Sequence, residues 1–223
     1  IYALLLTGSD WLNDNNTCTV DWGGKTYSTA EGETATGYLK VVLDGKEISS
    51  GSNSVSIRKE GNVPAWGAVY EQYFENINKV DKQKGVLNVE KKLFIESNSG
   101  TGLQIQPVTD GKLRIGDKVV VRLTIRTDRE MDYVFLKDLR AGCFEPADQI
   151  SGTKFRDGVM YYQSPTDVSE NFFFNRLPVG TFVIEYPVYV TRTGEYAGGI
   201  STIQCLYAPE FVSHTESETI LVK

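Results

Sequence analysis

Residues 116–126 read GDKVVVRLTIR, and this stretch decides the class of fold. After a Gly-Asp turn, the apolar residues at the odd positions 119–125 alternate with residues 120–126, three of which are polar or charged. A period of two residues is typical of a strand with one buried and one solvated face. The stretch therefore predicts a strand of an antiparallel sheet that covers a core.

Similar patterns on both sides of this stretch extend the prediction to a sandwich. Apolar residues alternate with polar ones from Leu87 to Ile95, and residues 182–190 present a second long apolar face. Pro187 interrupts that face, and since proline donates no ladder hydrogen bond, we expect an edge or a bulge there. Shorter strands are predicted at 132–137, 159–163, 172–174, 200–207 and 219–222. Two packed antiparallel sheets result.

The first part of the chain predicts shorter strands after a helix. Apolar residues at helical spacing indicate a helix over residues 1–14. Asp44-Gly45 lies between residues 38–43 and 46–48, which predicts a hairpin with a type I′ turn. Strands are also predicted at 55–58 and 66–74, and the polar, Lys-rich residues 76–84 predict a linker or long loop. The boundary between two β-domains is expected within 76–85.

Composition excludes several classes of function. The net charge is -6 and the sequence pI is about 5.0, with no cluster of Lys and Arg, so nucleic acid is not an expected partner. No apolar run reaches the roughly 18 residues that a membrane-spanning helix needs. The chain starts without Met or a basic flank, and we expect this start to lie inside a longer sequence.

No constellation of residues predicts an enzyme or a cofactor. His214 is the only histidine, its neighbours predict a solvated turn, and a Gly-x-Ser-x-Gly nucleophile elbow is absent. Carboxylate pairs could in principle hydrolyse glycosides, but residues 128–132 more simply predict a charged turn between strands. Three cysteines without Cys-x-x-Cys spacing predict no metal site. We expect neither catalysis nor a bound cofactor.

Aromatic residues supply the one alternative of another class. They cluster at 66–70, 161–162 and 172–174. Exposed together, such rings could stack on sugars, as in a surface adhesin or a carbohydrate-binding β-sandwich protein. The competing interpretation is ordinary packing in cores and between domains, where aromatic residues are common.

Four segments carry a resemblance to a known family. They are residues 116–122, residues 132–146 (DYVFLKDLRAGCFEP), residues 171–181 (NFFFNRLPVGT) and residues 207–211 (YAPEF). In order and spacing they resemble the final domain of bacterial alpha-2-macroglobulin-like proteins. Residues 1–6 look like the last helix of that family's helical thioester domain, and the strands from Thr17 to Phe74 look like the connecting β-domain.

The resemblance implies an all-β chain of two antiparallel β-sandwich domains with a short N-terminal helical remnant. Residues 1–14 would end the helical domain and residues 15–84 would form the connecting β-domain, completed in the family by strands that precede the helical domain. Residues 85–223 would form the C-terminal macroglobulin-like domain. The family's thioester motif, Cys-Gly-Glu-Gln, does not occur in the chain.

The function implied is that of a broad-spectrum protease trap, a bacterial endopeptidase inhibitor of the periplasm or cell surface. Its parent protein would meet proteases, and a lipid anchor in its N-terminal part would be compatible with this location. The role of this fragment would be mechanical, with the helical thioester domain of the same parent as its partner. We expect the contact at Leu206, Tyr207, Pro209 and Glu210. Alternatively these residues form an ordinary turn, in which Pro209 ends a strand and Tyr207 anchors the corner.

The cysteines allow two arrangements. Cys143 lies in one of the segments that resemble the final domain, and Cys205 lies just before another. We therefore expect these two cysteines to be neighbours, with Cys18 unpaired. An extracytoplasmic location would permit a Cys143–Cys205 disulfide. Otherwise all three remain buried thiols, because free cysteine packs as a small apolar residue.

Overall fold

The computed structural model describes residues 17–32, 37–61, 65–100, 102–109 and 112–223. The chain divides into two compact units, Ile1–Gln72 and Tyr73–Lys223. The division falls a few residues before the boundary expected within 76–85. The helix predicted over residues 1–14 lies outside the described residues. In the part of the chain that the structure describes, no helix combines the length and the apolar character of a membrane span.

The first unit contains a three-stranded antiparallel sheet. Its strands are β1 (Cys18–Trp22), β2 (Lys25–Ser28) and β3 (Val55–Lys59), in the order β2-β1-β3. Short 3-10 helices follow at Thr29–Glu31 and Ser50–Asn53. The predicted strand at 55–58 is therefore confirmed as β3.

Two strand predictions in the first part of the chain are wrong. A turn is present at Asp44, whose carbonyl accepts a hydrogen bond of 2.7 Å from the N–H of Glu47, but residues 39–43 form no strand. Gly45 lies outside the left-handed region that a type I′ turn requires. Residues 65–74 also form no strand. Aromatic residues favour strands only where a neighbouring strand pairs with them, and the described residues supply none here.

The second unit holds the main β-structure. A 3-10 helix at Ile77–Lys79 precedes its strands. These are β4 (Leu87–Ser99), β5 (Gly102–Pro107), β6 (Lys112–Leu113), β7 (Lys118–Thr127), β8 (Met131–Leu139), β9 (Phe144–Pro146), β10 (Gly152–Arg156), β11 (Val159–Pro165), β12 (Ser169–Leu177), β13 (Gly180–Val190), β14 (Gly194–Ala197), β15 (Ser201–Cys205), β16 (Val212–His214) and β17 (Thr219–Val222).

These strands form two large antiparallel sheets and a small one. The six-stranded sheet has the order β10-β11-β12-β8-β15-β16, and the five-stranded sheet has the order β5-β4-β7-β13-β9. The small sheet, β14-β17-β6, includes one parallel pair, β17 with β6. The all-β prediction is confirmed.

One hydrophobic core joins the inner faces of the two large sheets. Strand β7 alternates between buried and half-exposed residues along most of its length, as its sequence predicts. Its inward residues Leu123 and Ile125 are fully buried, as are Phe172 and Phe174 of β12 in the opposite sheet. Each such side chain contributes about 1.5–3 kcal/mol when buried. The predicted sandwich core is therefore present in residues 73–223.

Pro187 lies where one side of β13 is left open. Strand β9 pairs only with Val188 to Val190, and the carbonyl of Pro187 accepts a hydrogen bond from Ala147. Among the described residues, no strand pairs with that side of β13 before residue 188. Strand β13 lies between β7 and β9, so it is not the edge strand that was expected, and only the part before Val188 has an edge on the β9 side.

One type I′ hairpin turn of the described chain is at Asp157-Gly158. These residues have φ values of 51° and 80°, and they join β10 to β11 with Arg156 opposite Val159. Both central residues need positive φ in this turn, which glycine and aspartate tolerate. The sequence contains the same dipeptide here as at Asp44-Gly45, but this hairpin was not predicted.

Candidate interaction surface

The four residues expected to form a contact lie on one turn after β15. The N–H of Leu206 donates to the carbonyl of Tyr133 at 2.9 Å, which ties the start of the turn to β8. The N–H of Phe211 donates to the carbonyl of Ala208 at 3.0 Å and closes a β-turn with Pro209 at its second position. Proline favours that position because its φ is already fixed near the required value.

Two residues of this turn are half-buried and the others are exposed. Ala208 and Phe211 pack against the core, whereas Pro209 and Glu210 are exposed. Leu206 is 52% and Tyr207 is 81% exposed. Tyr207 therefore does not anchor the corner by burial, although β15 does end before the proline, at Cys205.

A fifth residue, Tyr133, completes the surface. Its ring meets the ring of Tyr207 edge to face, with centroids 5.1 Å apart, and it is 51% exposed. Its φ is 53°, a conformation that costs a bulky residue on the order of 1–3 kcal/mol. Sequence reasoning missed Tyr133, because nothing in its neighbours signals positive φ. We name Tyr133, Leu206, Tyr207, Pro209 and Glu210 the tyrosine corner.

Charged residues border the tyrosine corner. The guanidinium of Arg129 lies over the ring of Phe211, 5.3 Å from its centroid. Arg176 pairs with Glu130 at 2.6 Å. Residues 128–130 connect β7 to β8, so the charged turn expected at 128–132 is confirmed for these three residues, whereas Asp132 lies in β8. Exposed apolar rings with a polar border have the composition of a protein interaction surface.

The cysteines are free thiols rather than a disulfide. Cys205 pairs with Val134 near the start of β8, and its thiol donates to the carbonyl of Asp132 at 3.3 Å. Cys143 follows the other end of β8 and is bonded through its carbonyl to Thr191. Both are buried, and Cys18 is half-buried. Strand β8 separates the two positions, and of the two arrangements left open the disulfide is not formed.

A buried polar cluster links the two large sheets. The Lys91 ammonium, on β4, donates to the Asp138 carboxylate at 2.8 Å and to the carbonyls of Leu139 and Gly198 at 2.8 and 3.1 Å. Asp138, on β8, is fully buried and also accepts from the hydroxyls of Ser201 and Tyr186. Burial, followed by the charge of Asp138, raises the pKa of Tyr186 well above its ordinary value.

A second buried pair lies beside this cluster. Arg140 donates to Glu170 at 2.9 Å, and Gln163 donates to the other Glu170 oxygen at 2.8 Å. The Arg140 and Glu170 side chains are each only 1% exposed. Burial raises the pKa of Glu170, and the hydrogen bonds and the charge of Arg140 only partly oppose this. Within the described residues, Nε and Nη2 of Arg140 have no hydrogen-bond partner.

Both clusters have the geometry of cross-links rather than of a reactive site. Lys91 uses its three donors, and both oxygens of Asp138 accept hydrogen bonds. Sequence reasoning missed the clusters, yet it had a signal. Lys91 occupies an inward position of β4 between Val89 and Leu93, where the apolar alternation should have continued.

His214 lies in a strand, not in the solvated turn that was predicted. It is half-buried at the end of β16, and its backbone pairs with Gln83 through hydrogen bonds of 3.0 and 3.2 Å. The polar residues around His214 led to the wrong prediction of a turn, because strand pairing, not side-chain polarity, determines the backbone structure here. Across the described ranges, no group of three or more His, Cys, Asp or Glu side chains could hold a metal ion.

The aromatic clusters are divided by the pleat of the sheet. Tyr161, Phe172 and Phe174 are buried in the core, whereas Tyr162 and Phe173 face outward. Phe173 stacks on Phe135 with centroids 4.8 Å apart. These two rings face each other rather than lying side by side in one plane, as a sugar-stacking pair would.

The match to a known family lies within the second unit. Residues 87–210 match a family described as the bacterial alpha-2-macroglobulin MG10 domain. A curated relative, circularly permutated Ras protein 2 of Dictyostelium discoideum, is 27% identical over 113 residues, which are 50% of this chain and 3% of that protein.

Solved structures of bacterial alpha-2-macroglobulins have a similar fold. Native Escherichia coli alpha-2-macroglobulin from domain MG7 to the C-terminus matches 64% of this chain and 24% of its own, with a TM-score of 0.50 and 13% identity. The Escherichia coli protein activated by porcine elastase matches 93% and 18%, with a TM-score of 0.53 and 12% identity. Salmonella alpha-2-macroglobulin reacted with methylamine matches 93% and 13%, with a TM-score of 0.51 and 14% identity. The chain thus spans less than a quarter of each.

Proposed function

Since this chain belongs to the bacterial alpha-2-macroglobulin family through its MG10 domain, we propose that it is the C-terminal part of a protease trap and has no catalytic role of its own. The parent protein would inhibit proteases outside the cytoplasm, in the periplasm or at the cell surface. Its structural relatives support this proposal, because they include alpha-2-macroglobulins activated by porcine elastase or reacted with methylamine.

The tyrosine corner is the proposed contact with the helical thioester domain of the same parent. The observation that carries this assignment is the exposure of Tyr207, which is 81% exposed although the turn around it is fixed by three backbone hydrogen bonds. A rigid turn that displays an aromatic ring loses little conformational entropy when a partner covers it.

The backbone of Tyr133 supports the same assignment. Its positive φ raises the energy of the isolated fold, and such strain is concentrated at binding and switch sites. Here it brings the Tyr133 ring against Tyr207, so that two rings rather than one face outward. Aromatic residues at the centre of a contact supply much of its binding energy.

Hydrogen exchange can test the contact. We expect the amides of residues 205–208, 210 and 211 to exchange more slowly in the full-length parent than in the 223-residue chain. Equal exchange in both proteins would contradict the assignment.

Protease capture by the full-length parent tests the function. We expect Tyr207→Ala to weaken capture of elastase by at least about tenfold, since truncating a central aromatic contact costs roughly 2 kcal/mol. Tyr189→Ala, on the outer face of the other sheet, is the matched control and should capture normally. Unchanged capture by Tyr207→Ala would show that the tyrosine corner is not needed for inhibition.

A further inference from the structure

Lys91 and Asp138 lie close enough to form a covalent bond as well as an ion pair. The ammonium nitrogen of Lys91 is 2.8 Å from Oδ1 of Asp138, and the two side chains are 10% and 0% exposed. The carboxyl carbon of Asp138 is only one covalent bond beyond that oxygen. When an amine is fixed this close to a carboxyl carbon, intramolecular reactions can reach effective concentrations of about 10⁵–10⁸ M. Proximity therefore favours a reaction between the two groups.

Two backbone carbonyls hold the amine in place. Besides its bond to Asp138, Nζ of Lys91 donates to the carbonyls of Leu139 and Gly198, at 2.8 and 3.1 Å. One carbonyl follows Asp138 in β8, and the other lies close to the start of β15. The Lys91 side chain is therefore fixed toward Asp138 before any bond forms, so that little conformational entropy remains to be lost on reaction.

The two oxygens of Asp138 have donors suited to different roles. The hydroxyl of Tyr186 donates to Oδ2, and the hydroxyl of Ser201 donates to Oδ1 at 2.7 Å. Negative charge grows on Oδ2 when an amine adds to the carboxyl carbon, and the Tyr186 hydroxyl is placed to stabilise it. Burial, followed by the charge of Asp138, raises the pKa of Tyr186, which keeps this hydroxyl protonated. Oδ1 is then the oxygen that leaves.

We propose that Nζ of Lys91 and Cγ of Asp138 form an isopeptide bond that joins β4 covalently to β8. A proton passes from the ammonium to Oδ1, the neutral amine attacks Cγ, and Oδ1 leaves as water with a second amine proton. The amide nitrogen keeps the third proton, the two charges cancel, and no other reagent is consumed. The product is a cross-link within the chain, not a site for an outside substrate, and it is independent of the proposed protease trap.

The surroundings favour the amide over the ion pair. Asp138 is fully buried, and burying two opposite charges costs desolvation energy that a neutral amide largely avoids. A cavity of about 270 Å³ borders Lys91 and is also lined by Gly198 and Gly199. The released water can leave into this cavity. The amide N–H can keep one of the two carbonyl acceptors that now bind the ammonium.

The mass of the intact chain tests the proposal. We expect the 223-residue chain, unfolded and reduced, to be lighter than its sequence by the mass of one water molecule. A tryptic digest should contain a branched peptide in which the segments around Lys91 and Asp138 are joined. A chain with the full sequence mass would overturn the proposal.

Variants locate the lost water. Lys91→Arg should have its full sequence mass, whereas Lys92→Arg, the matched control at the exposed neighbouring position, should lose one water like the wild type. A loss that persists in Lys91→Arg would overturn the proposal, because dehydration would then lie elsewhere, such as at an Asp-Gly dipeptide.

The role of Tyr186 has its own measurement. After cell-free synthesis, the fraction of dehydrated chain should rise at least about tenfold more slowly in Tyr186→Phe than in the wild type, because a donor to the developing oxyanion is missing. Tyr189→Phe, on the more exposed side of the same strand, is the control and should react at the wild-type rate. Equal rates in the two variants would overturn the role of the Tyr186 hydroxyl.

Discussion

The hydroxyl of Tyr186, on the five-stranded sheet, donates a hydrogen bond to the carboxylate of Asp138 on the six-stranded sheet. Asp138 also accepts a hydrogen bond from Lys91, which lies in the same sheet as Tyr186. The two sheets are therefore joined by directional bonds as well as by apolar packing. Such bonds specify one alignment of the sheets, and their loss leaves buried polar atoms unsatisfied.

Removing the Tyr186 hydroxyl should destabilise the second unit. We expect Tyr186→Phe to lower the free energy of unfolding by about 1–3 kcal/mol, because one oxygen of Asp138 would remain buried without its donor. Tyr189→Phe, on the more exposed side of the same strand, is the control and should change it by less than about 0.5 kcal/mol. Urea denaturation followed by fluorescence measures both. Equal stability of the two variants would contradict the proposed role of the hydroxyl.

The Arg140–Glu170 pair should be strongly non-additive. Arg140→Met leaves the buried Glu170 without its counter-charge and should cost about 3–5 kcal/mol. Adding Glu170→Gln removes the stranded charge and should recover most of that loss. A double-mutant cycle in urea measures the coupling. The exposed pair Arg176–Glu130 is the control, and there Arg176→Ala should cost at most about 1 kcal/mol.

Titration of Glu170 gives a pH dependence with a defined sign. Burial raises its pKa above the ordinary value of 4.5. The folded state therefore binds this proton more tightly than the unfolded state. The resulting stabilisation is complete below pH 4.5 and is lost as pH rises through the raised pKa. Between about pH 4 and pH 7, the stability of Glu170→Gln relative to the wild type should therefore increase. Denaturation at several pH values measures this, and a constant difference would be inconsistent with it.

Gly199 allows the chain to approach Leu139 closely. Its φ is 76°, and a Cβ at this position would lie 2.3 Å from the Leu139 carbonyl oxygen, which also accepts from Lys91. Gly199→Ala should therefore cost about 2–4 kcal/mol through strain and steric overlap. Gly152→Ala is the matched control, because a Cβ there meets no atom within 4 Å. Thermal unfolding should show a clear loss of Tm for the first variant only.

Thiol reactivity can establish the state of the cysteines. We expect alkylation of the native chain by iodoacetamide to modify half-buried Cys18 first, whereas buried Cys143 and Cys205 react only after unfolding. Burial also raises the pKa of Cys143, which lowers the fraction of reactive thiolate. Mass spectrometry without reductant should find three alkylated thiols in urea. A mass two hydrogens lower, with only Cys18 alkylated, would instead reveal a Cys143–Cys205 bridge.

The sequence predicts this fold only as far as the predicted strands pair with neighbouring strands. The alternation of apolar and polar residues in β7 was sufficient to predict a strand, because one face of β7 is buried against the core. The dipeptide Asp-Gly was not sufficient to predict a hairpin, since Asp157-Gly158 forms a type I′ hairpin and Asp44-Gly45 does not. The difference lies outside the dipeptide. Strands β10 and β11 pair with each other and β11 also pairs with β12, whereas residues 39–43 form no strand.

The candidate surface was predicted in part for a similar reason. A proline inside Tyr207-Ala208-Pro209-Glu210 is visible in the sequence and predicts a turn. The contribution of Tyr133 depends on the backbone conformation of another strand, which no local pattern signals. Lys91 was detectable as a charged residue at an inward position, but its partners are 47 to 107 residues further along the chain.

The Lys91 cluster also constrains the order in which the domain can assemble. Its bonds require β4, near the start of the domain, and Gly198 and Ser201, near the end. A chain that emerges from its N-terminus keeps Lys91 and Asp138 hydrated until the last strands arrive, because burying either charge alone is costly. Partly folded states therefore have a high free energy, and the domain should fold in a single cooperative step. A chain truncated before Gly194 should remain unfolded rather than form half a sandwich.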